Sequence, residues 1–144
     1  MTSNATRAET LLRALRASIE GDRTAMGDVF TEDVTAWTPA LSARSRDELA
    51  TEFERRDEAF SDIDVDVLPL DVGGDFACAE WSVTLTHSGP LTLAGELIEP
   101  TGLRVTIHGA TVAEFRGERI CSLRQYWDEL AVLDQMGLLP ERQP

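Results

Sequence analysis

The hydrophobic pattern of the first sixty residues repeats every three to four positions, which is typical of amphipathic helices. Thr6–Glu9 and Ser45–Glu48 match the capping-box pattern and predict the starts of a first and a third helix. Asp22 predicts the N-cap of a short second helix, which leads into an extended segment that ends at Trp37. The predicted buried stripe of the third helix consists of Leu49, Phe53 and Phe60.

From Ile63 onward the pattern changes to a period of two, which is typical of strands with one buried face. Gly73–Asp75 predicts a turn, and the long strand after it places Trp81 and His87 on the same apolar face. The remaining strand-like segments cover residues 91–98, residues 103–108, a run that ends near residue 115, and residues 120–127.

This order of elements predicts an α+β fold in a single domain that spans residues 1–144. A mostly antiparallel sheet of long strands curves because its strands twist. We therefore expect a cone, with the three N-terminal helices over its concave face and a short C-terminal helix. Helices fill such a concave face incompletely, so a pocket is expected at the wide end of the cone.

The stretch from Gly117 to Pro140 joins the last strand to the C-terminal helix. Leu130 and Leu133 repeat at helical spacing, and Gly137 with Pro140 predicts the end of the helix. Asp128 stands between strand and helix, where an acid either caps the helix or takes part in catalysis. The cap is the favoured interpretation, and both remain open on the sequence.

The charge and hydropathy of the chain limit the kinds of molecule that it is expected to bind. The 144 residues hold 13 basic and 26 acidic side chains, a net charge of −13, which argues against binding to nucleic acid or to an anionic membrane. No apolar run is long enough to span a membrane, and arginines interrupt the first twenty residues, which argues against a signal peptide. A cytoplasmic protein with a hydrophobic small-molecule ligand is expected.

Several kinds of site have no support in the sequence. The basic residues are all arginine, which excludes a lysine Schiff base. His87 and His108 lack the spacing of metal ligands, so no metal site is expected. Cys78 and Cys121 lie in strand-like runs and are interpreted as reduced thiols. The motifs of serine hydrolases and of nucleotide-binding loops are absent.

Four segments together resemble the SnoaL-like polyketide cyclase and ester cyclase family. They are THSGPL at residues 86–91, PTGLRV at 100–105, GERI at 117–120 and YWDELAVLDQMGLLP at 126–140. The resemblance covers nearly the whole chain. It implies the cone-shaped, nuclear-transport-factor-like fold that ketosteroid isomerase and scytalone dehydratase also have. It also implies a homodimer formed through the faces of the sheets.

The resemblance further implies a reaction. Family members of known activity close a polyketide ring by intramolecular aldol condensation, without metal or cofactor, using an aspartate and a histidine on neighbouring strands. Related members are implicated in hydroxylation. In this sequence Gln125 stands where the family has the aspartate, and Ala113 where it has the histidine. Glutamine does not exchange protons near neutral pH, so the cyclase pair is missing here.

The candidate site residues follow from this departure. Gln125 is expected to hold a carbonyl or enolate oxygen, and His87 or Asp128 to exchange the proton. The side chains considered for ligand binding are Trp37, Trp81, His108, Tyr126 and Trp127, each of which also has a structural interpretation. Either a cofactor-free cyclase or isomerase, a divergent hydroxylase-like member, or a module that binds a hydrophobic molecule unchanged is compatible with the sequence.

Overall fold

A computed structural model describes residues 4–39, 41–93 and 96–139. The helices are α1 (Asn4–Glu20), α2 (Arg23–Val29), α3 (Arg46–Ala59) and α4 (Glu129–Gln135). The strands are β1 (Phe30–Trp37), β2 (Ser42–Ala43), β3 (Phe60–Gly73), β4 (Phe76–His87), β5 (Leu91–Leu93), β6 (Glu96–Ile98), β7 (Arg104–Arg116) and β8 (Arg119–Trp127).

Six strands form the main sheet, in the order β2-β1-β8-β7-β4-β3. Only the β1–β8 pair of this sheet is parallel; β1 lies between α2 and α3 in the chain and pairs with the last strand. The sheet is curved and not closed, and β5 with β6 forms a separate two-stranded sheet. The α+β prediction is therefore confirmed.

One strand boundary was predicted wrongly. The sequence indicated two strands between residue 103 and Phe115, whereas β7 runs from Arg104 to Arg116 without interruption. Gly109 does not form a bulge, because the register with β4 continues through it. Phe60 is likewise the first residue of β3 and not the last of α3, since its backbone is extended and it pairs with His87.

The predicted caps of α2 and α3 are confirmed. The Asp22 carboxylate accepts a hydrogen bond from the Ala25 amide at 3.0 Å, and the Ser45 hydroxyl accepts one from the Glu48 amide at 3.1 Å. Each bond satisfies an amide that the helix itself leaves unpaired. The side chain of Thr6, expected to cap α1, and Pro140, expected to follow α4, lie outside the described residues.

Helix α4 packs by a different face from the one that the leucine spacing indicated. Leu130 is 62% exposed and Leu133 is half-buried, whereas Val132 and Met136 are buried. These two buried residues belong to the same hydrophobic cluster as Leu85 and Val105. The helix ends at a glycine, as predicted: Gly137 has φ 72°, a left-handed conformation that favours this residue.

A larger hydrophobic cluster lies between helices α1 to α3 and the sheet. Leu11, Phe30, Leu49 and Ile120 are completely buried there. Cys78 and Cys121 are half-buried free thiols. No helix in the described ranges has both the length and the hydropathy to cross a membrane.

Candidate functional site

A cavity of about 660 Å³ lies between the concave face of the sheet and helices α1, α3 and α4. Most of its lining is aliphatic or aromatic. The apolar side chains are Leu15, Ile19, Leu41, Phe53, Phe60, Ile63, Val65, Val67, Trp81, Val83, Leu85, Pro90, Leu91, Ile107, Trp127, Val132 and Met136. Cavities of this size and character bind small organic molecules.

Two indoles form part of the floor of the cavity. Trp81 and Trp127 flank Gly109 in the register of β4, β7 and β8, and their ring centroids lie 6.0 Å apart at an interplanar angle of 63°. The Trp81 Nε1–H donates to the hydroxyl of Thr111 at 2.9 Å, which fixes the orientation of the indole. Two of the three tryptophans considered for ligand binding, Trp81 and Trp127, therefore lie on the cavity side.

Gln125 supplies an amide to the same cavity. It lies opposite Thr111 in the β7–β8 register, and its side chain lines the cavity. Within the described ranges no group hydrogen-bonds to its side-chain amide. An amide in this position can donate to a carbonyl or enolate oxygen of a ligand, or accept from a hydroxyl.

Glu129 is a cavity residue that the sequence reasoning missed. It is the first residue of α4, it is half-buried, and one carboxylate oxygen, Oε2, accepts a hydrogen bond from Trp127 Nε1–H at 3.0 Å. The spacing of Glu129, Val132 and Met136 places the three on one helical face. The helical spacing of Val132 and Met136 was the signal in the sequence. Leu130 and Leu133 also have helical spacing, and they indicated a different buried face.

Asp128 caps α4. Its Oδ1 accepts a hydrogen bond from the Ala131 amide at 3.1 Å, and its side chain is exposed and does not line the cavity. The sequence left open a helix cap and a catalytic acid, and the structure shows the helix cap. A role for Asp128 in catalysis remains a prediction, without support from its position.

His87 has the expected parity on β4 but lies at the end of the strand, outside the cavity lining. The ring is completely buried beside Phe60, and Nδ1 accepts the Thr101 amide N–H at 3.2 Å. With Nδ1 as the acceptor, the N–H of the ring is on Nε2, which has no hydrogen-bond partner in the part of the chain that the structure describes. His87 is therefore not placed to contact a molecule in the cavity.

Three residues predicted to contact a ligand lie on the outer face of the sheet. Trp37 and Tyr126 are 46% and 47% exposed, and their ring centroids are 5.4 Å apart. His108 is exposed and pairs with Ser82, whose side chain points away from the Trp81 face. The reason is strand alternation. Successive side chains of a strand point to opposite faces, and a sequence neighbour of each of these three residues lines the cavity.

Helix α3 contributes the charged part of the wall. Glu52 and Arg55 form an ion pair at 3.3 Å, and the Arg56 guanidinium donates to the Ser18 carbonyl at 2.7 Å. Glu58 is exposed on the last turn of the helix. Among the described residues no three His, Cys, Asp or Glu side chains are grouped as metal ligands would be.

Similar structures share this architecture. A candidate SnoaL-like polyketide cyclase from Jannaschia sp. CCS1 matches with a TM-score of 0.81 and 20% identity over 94% of each chain. A candidate hydroxylase from Streptomyces galilaeus matches with a TM-score of 0.77 and 22% identity, over 96% of this chain and 89% of that one.

A Catenulispora acidiphila protein with a ketosteroid isomerase-like fold gives a TM-score of 0.72 and 22% identity, over 94% of this chain and 98% of that one. At these identities the likeness shows the fold. A search of curated proteins finds no match.

A family model provides the assignment. The model of the SnoaL-like domain matches residues 10–123, which is most of the chain. The match ends before Gln125, so the correspondence of this residue with the family's aspartate stays a prediction. The matched segment runs from within α1 to within β8 and includes α2, α3 and strands β1 to β7, whereas α4 lies beyond it. The chain therefore belongs to the SnoaL-like domain family.

Proposed function

We propose that the protein binds a neutral hydrophobic molecule in the cavity and converts it as a cofactor-independent cyclase or isomerase. An aromatic or polyketide-like ketone matches the long apolar walls and the two indoles of the floor. The observation that carries the proposal is the side-chain amide of Gln125, which lines this apolar cavity without a hydrogen-bond partner among the described residues. A polar group in such a place is available to a ligand oxygen.

Gln125 acts on that oxygen as a hydrogen-bond donor. When a proton leaves the carbon next to a carbonyl, negative charge develops on the carbonyl oxygen, and a donor already in place stabilises it. Removal of one such donor typically slows a reaction by about 10²- to 10³-fold. The glutamine thus supplies the electrostatic part of the family's chemistry, and a different group must accept the proton.

A panel of neutral aromatic ketones tests the proposal. Binding is measured by quenching of tryptophan fluorescence, and conversion by chromatography with mass detection, because isomers share a mass while a dehydrated aldol product has lost water. Gln125→Ala should lower the turnover number far more than the affinity. Ser122→Ala, on the outward-facing side of the same strand, is the matched control. Turnover at the full rate in Gln125→Ala would remove the proposed role.

The second candidate is a binding module. It is favoured by Ala113, which is completely buried and carries no group that exchanges protons, and by Gln125, which cannot exchange them near neutral pH. Under this alternative the same ketones bind and are recovered unchanged. The hydroxylase-like alternative predicts instead a product that has gained one oxygen atom. Mass identifies the hydroxylated and the dehydrated products, and chromatographic retention separates an isomer from the unchanged ketone.

A further inference from the structure

We propose that Glu129 takes up and returns protons in the cavity, and that Trp127 is its positioning residue. This proposal rests on the proposed function in one respect, since both require a ligand to bind in the same cavity. The starting observation is that two acids adjacent in the sequence make different contacts. Asp128 uses its carboxylate to cap α4, whereas the next side chain lines the cavity.

The hydrogen bonding of Glu129 leaves one oxygen available. Oε2 accepts from the Trp127 indole at 3.0 Å, while Oε1 has no partner in residues 4–39, 41–93 and 96–139. The indole bond restricts the rotation of the carboxylate. A half-buried carboxylate with one oxygen held by a hydrogen bond and the other without a partner among the described residues, in a mostly apolar cavity, has the arrangement that a general base needs.

The other ionisable groups of the cavity are less suited to this role. Glu52 is paired with Arg55, and the guanidinium of Arg56 is bonded to the Ser18 carbonyl. Arginine side chains stay protonated and cannot accept a proton. Glu58 is exposed to solvent on α3. Glu129 is thus the carboxylate of the lining that combines partial burial with a hydrogen bond from the cavity floor.

The proton transfer can be written in full for a ketone. Glu129 Oε1 takes a proton from the carbon next to the carbonyl, and the C–H electron pair moves to form an enolate whose oxygen accepts a hydrogen bond from Gln125. In the isomerisation of an unsaturated ketone, the enolate is a dienolate, and the protonated Glu129 returns the proton to its far carbon, so that the C=C double bond shifts into conjugation with the carbonyl. In a ring closure the enolate carbon attacks a second carbonyl of the same molecule, and the resulting alkoxide takes the proton.

A probe reaction tests the base without the natural substrate. In 5-nitrobenzisoxazole a base removes the proton from the carbon next to the ring nitrogen, that electron pair completes a nitrile, and the N–O bond breaks to leave a coloured phenolate. We expect the wild-type protein to catalyse this elimination and Glu129→Gln to lose about 100-fold of the rate, the lower end for a positioned base. Glutamine keeps an oxygen that can accept from Trp127.

Further variants separate chemistry from structure. Glu129→Asp keeps the charge on a shorter side chain and should retain a rate between wild type and Glu129→Gln. Trp127→Phe keeps an aromatic ring but loses the N–H, so kcat should fall about 10-fold with KM nearly unchanged. Asp134→Asn removes an exposed carboxylate from the same helix and is the matched control. Circular dichroism establishes that each variant is folded.

Binding of the unreactive analogue 6-nitrobenzotriazole distinguishes the two proposals. If the analogue does not bind to wild type, the cavity is not a small-molecule site and both proposals fail. If it binds equally to wild type and Glu129→Gln while their elimination rates are equal, the role of Glu129 alone is overturned. A loss of rate in Asp128→Asn or Glu58→Gln, with Glu129→Gln unaffected, overturns it as well.

Discussion

The indole of Trp81 lies so close to the backbone of Gly109 that a methyl group there would be 2.5 Å from its Cζ2 and Cη2 atoms. Non-bonded carbon atoms normally approach to about 3.5–4.0 Å, and the methyl group would also lie 2.7 Å from the backbone oxygen of Tyr126. The position therefore accepts no side chain unless both the indole and the neighbouring strand move. The absence of a side chain on β7 is what allows the indole to extend toward Thr111 and form the cavity floor.

Gly109→Ala should therefore destabilise the fold by about 1–3 kcal/mol, the usual cost of overpacking, and should also weaken binding of cavity ligands because Trp81 is displaced. Gly27→Ala is the control. It lies inside α2, where an added methyl group meets no atom within 4 Å. Because alanine favours helix, this variant should gain about 0.5–1 kcal/mol. Urea unfolding measures both, and equal stability of Gly109→Ala and wild type would contradict the account.

The sequence predicted the floor of the cavity in part. Period-two alternation along β4 correctly put Trp81 on the apolar face, because strand parity is a local property. Trp37 and Tyr126 also alternate, but the side of the sheet that the helices cover depends on long-range packing. The sequence therefore left open which tryptophans face the cavity, and two aromatic residues considered for ligand binding lie on the outer face.

The same limit explains the missed acid. Two stripes on α4 have helical spacing, one through Leu130 and Leu133 and one through Val132 and Met136. Which stripe is buried depends on how the helix packs against β7, where Gln135 bonds to the backbone of Thr106. Capping, in contrast, involves only residues a few positions apart. Asp22 and Ser45 were accordingly predicted correctly, whereas the face of α4 was not.

The cap at Asp128 gives a prediction about stability. Asp128→Ala should destabilise the protein by about 0.5–2 kcal/mol because the Ala131 amide loses its acceptor. Asp128→Asn should be nearly neutral, since asparagine caps helices about as well as aspartate does. Thermal unfolding of the two variants beside wild type is the measurement. Equal losses in both variants would indicate that the charge matters more than the cap.

Stability in acid should depend on Asp33. The Arg116 guanidinium, at 3.0 and 3.2 Å from the two carboxylate oxygens, holds the pKa of Asp33 below its ordinary value. A carboxyl group with a lowered pKa stabilises the folded state above the pKa of the unfolded chain, about 4, and this contribution is lost as the pH falls through the folded-state pKa.

We therefore expect wild type to be more stable than Asp33→Asn at pH 7, and the difference to disappear in strong acid. Both groups are exposed, so the effect is small and should shrink further at high salt. Urea midpoints of the two proteins at several pH values provide the test. A difference that stays constant from neutral pH into strong acid would show that the ion pair is not its source.

The outer face of the sheet carries the prediction of a homodimer. Trp37 and Tyr126 lie there with their ring planes tilted by 47°, at 46% and 47% exposure. Tryptophan and tyrosine are among the residues that most often dominate the energy of protein interfaces. Light scattering should give twice the chain mass for wild type. Tyr126→Glu places a charge within this aromatic pair and should shift the mass toward that of one chain.

Leu130→Glu is the control for the dimer, because Leu130 is 62% exposed on α4, away from the outer face of the sheet. A charge there adds the same change in net charge without touching the aromatic pair, so the mass should remain that of two chains. If both variants dissociate, general charge repulsion in a protein of net charge −13 is the cause. If wild type itself has the mass of one chain, the exposed aromatic pair does not mark a self-association surface.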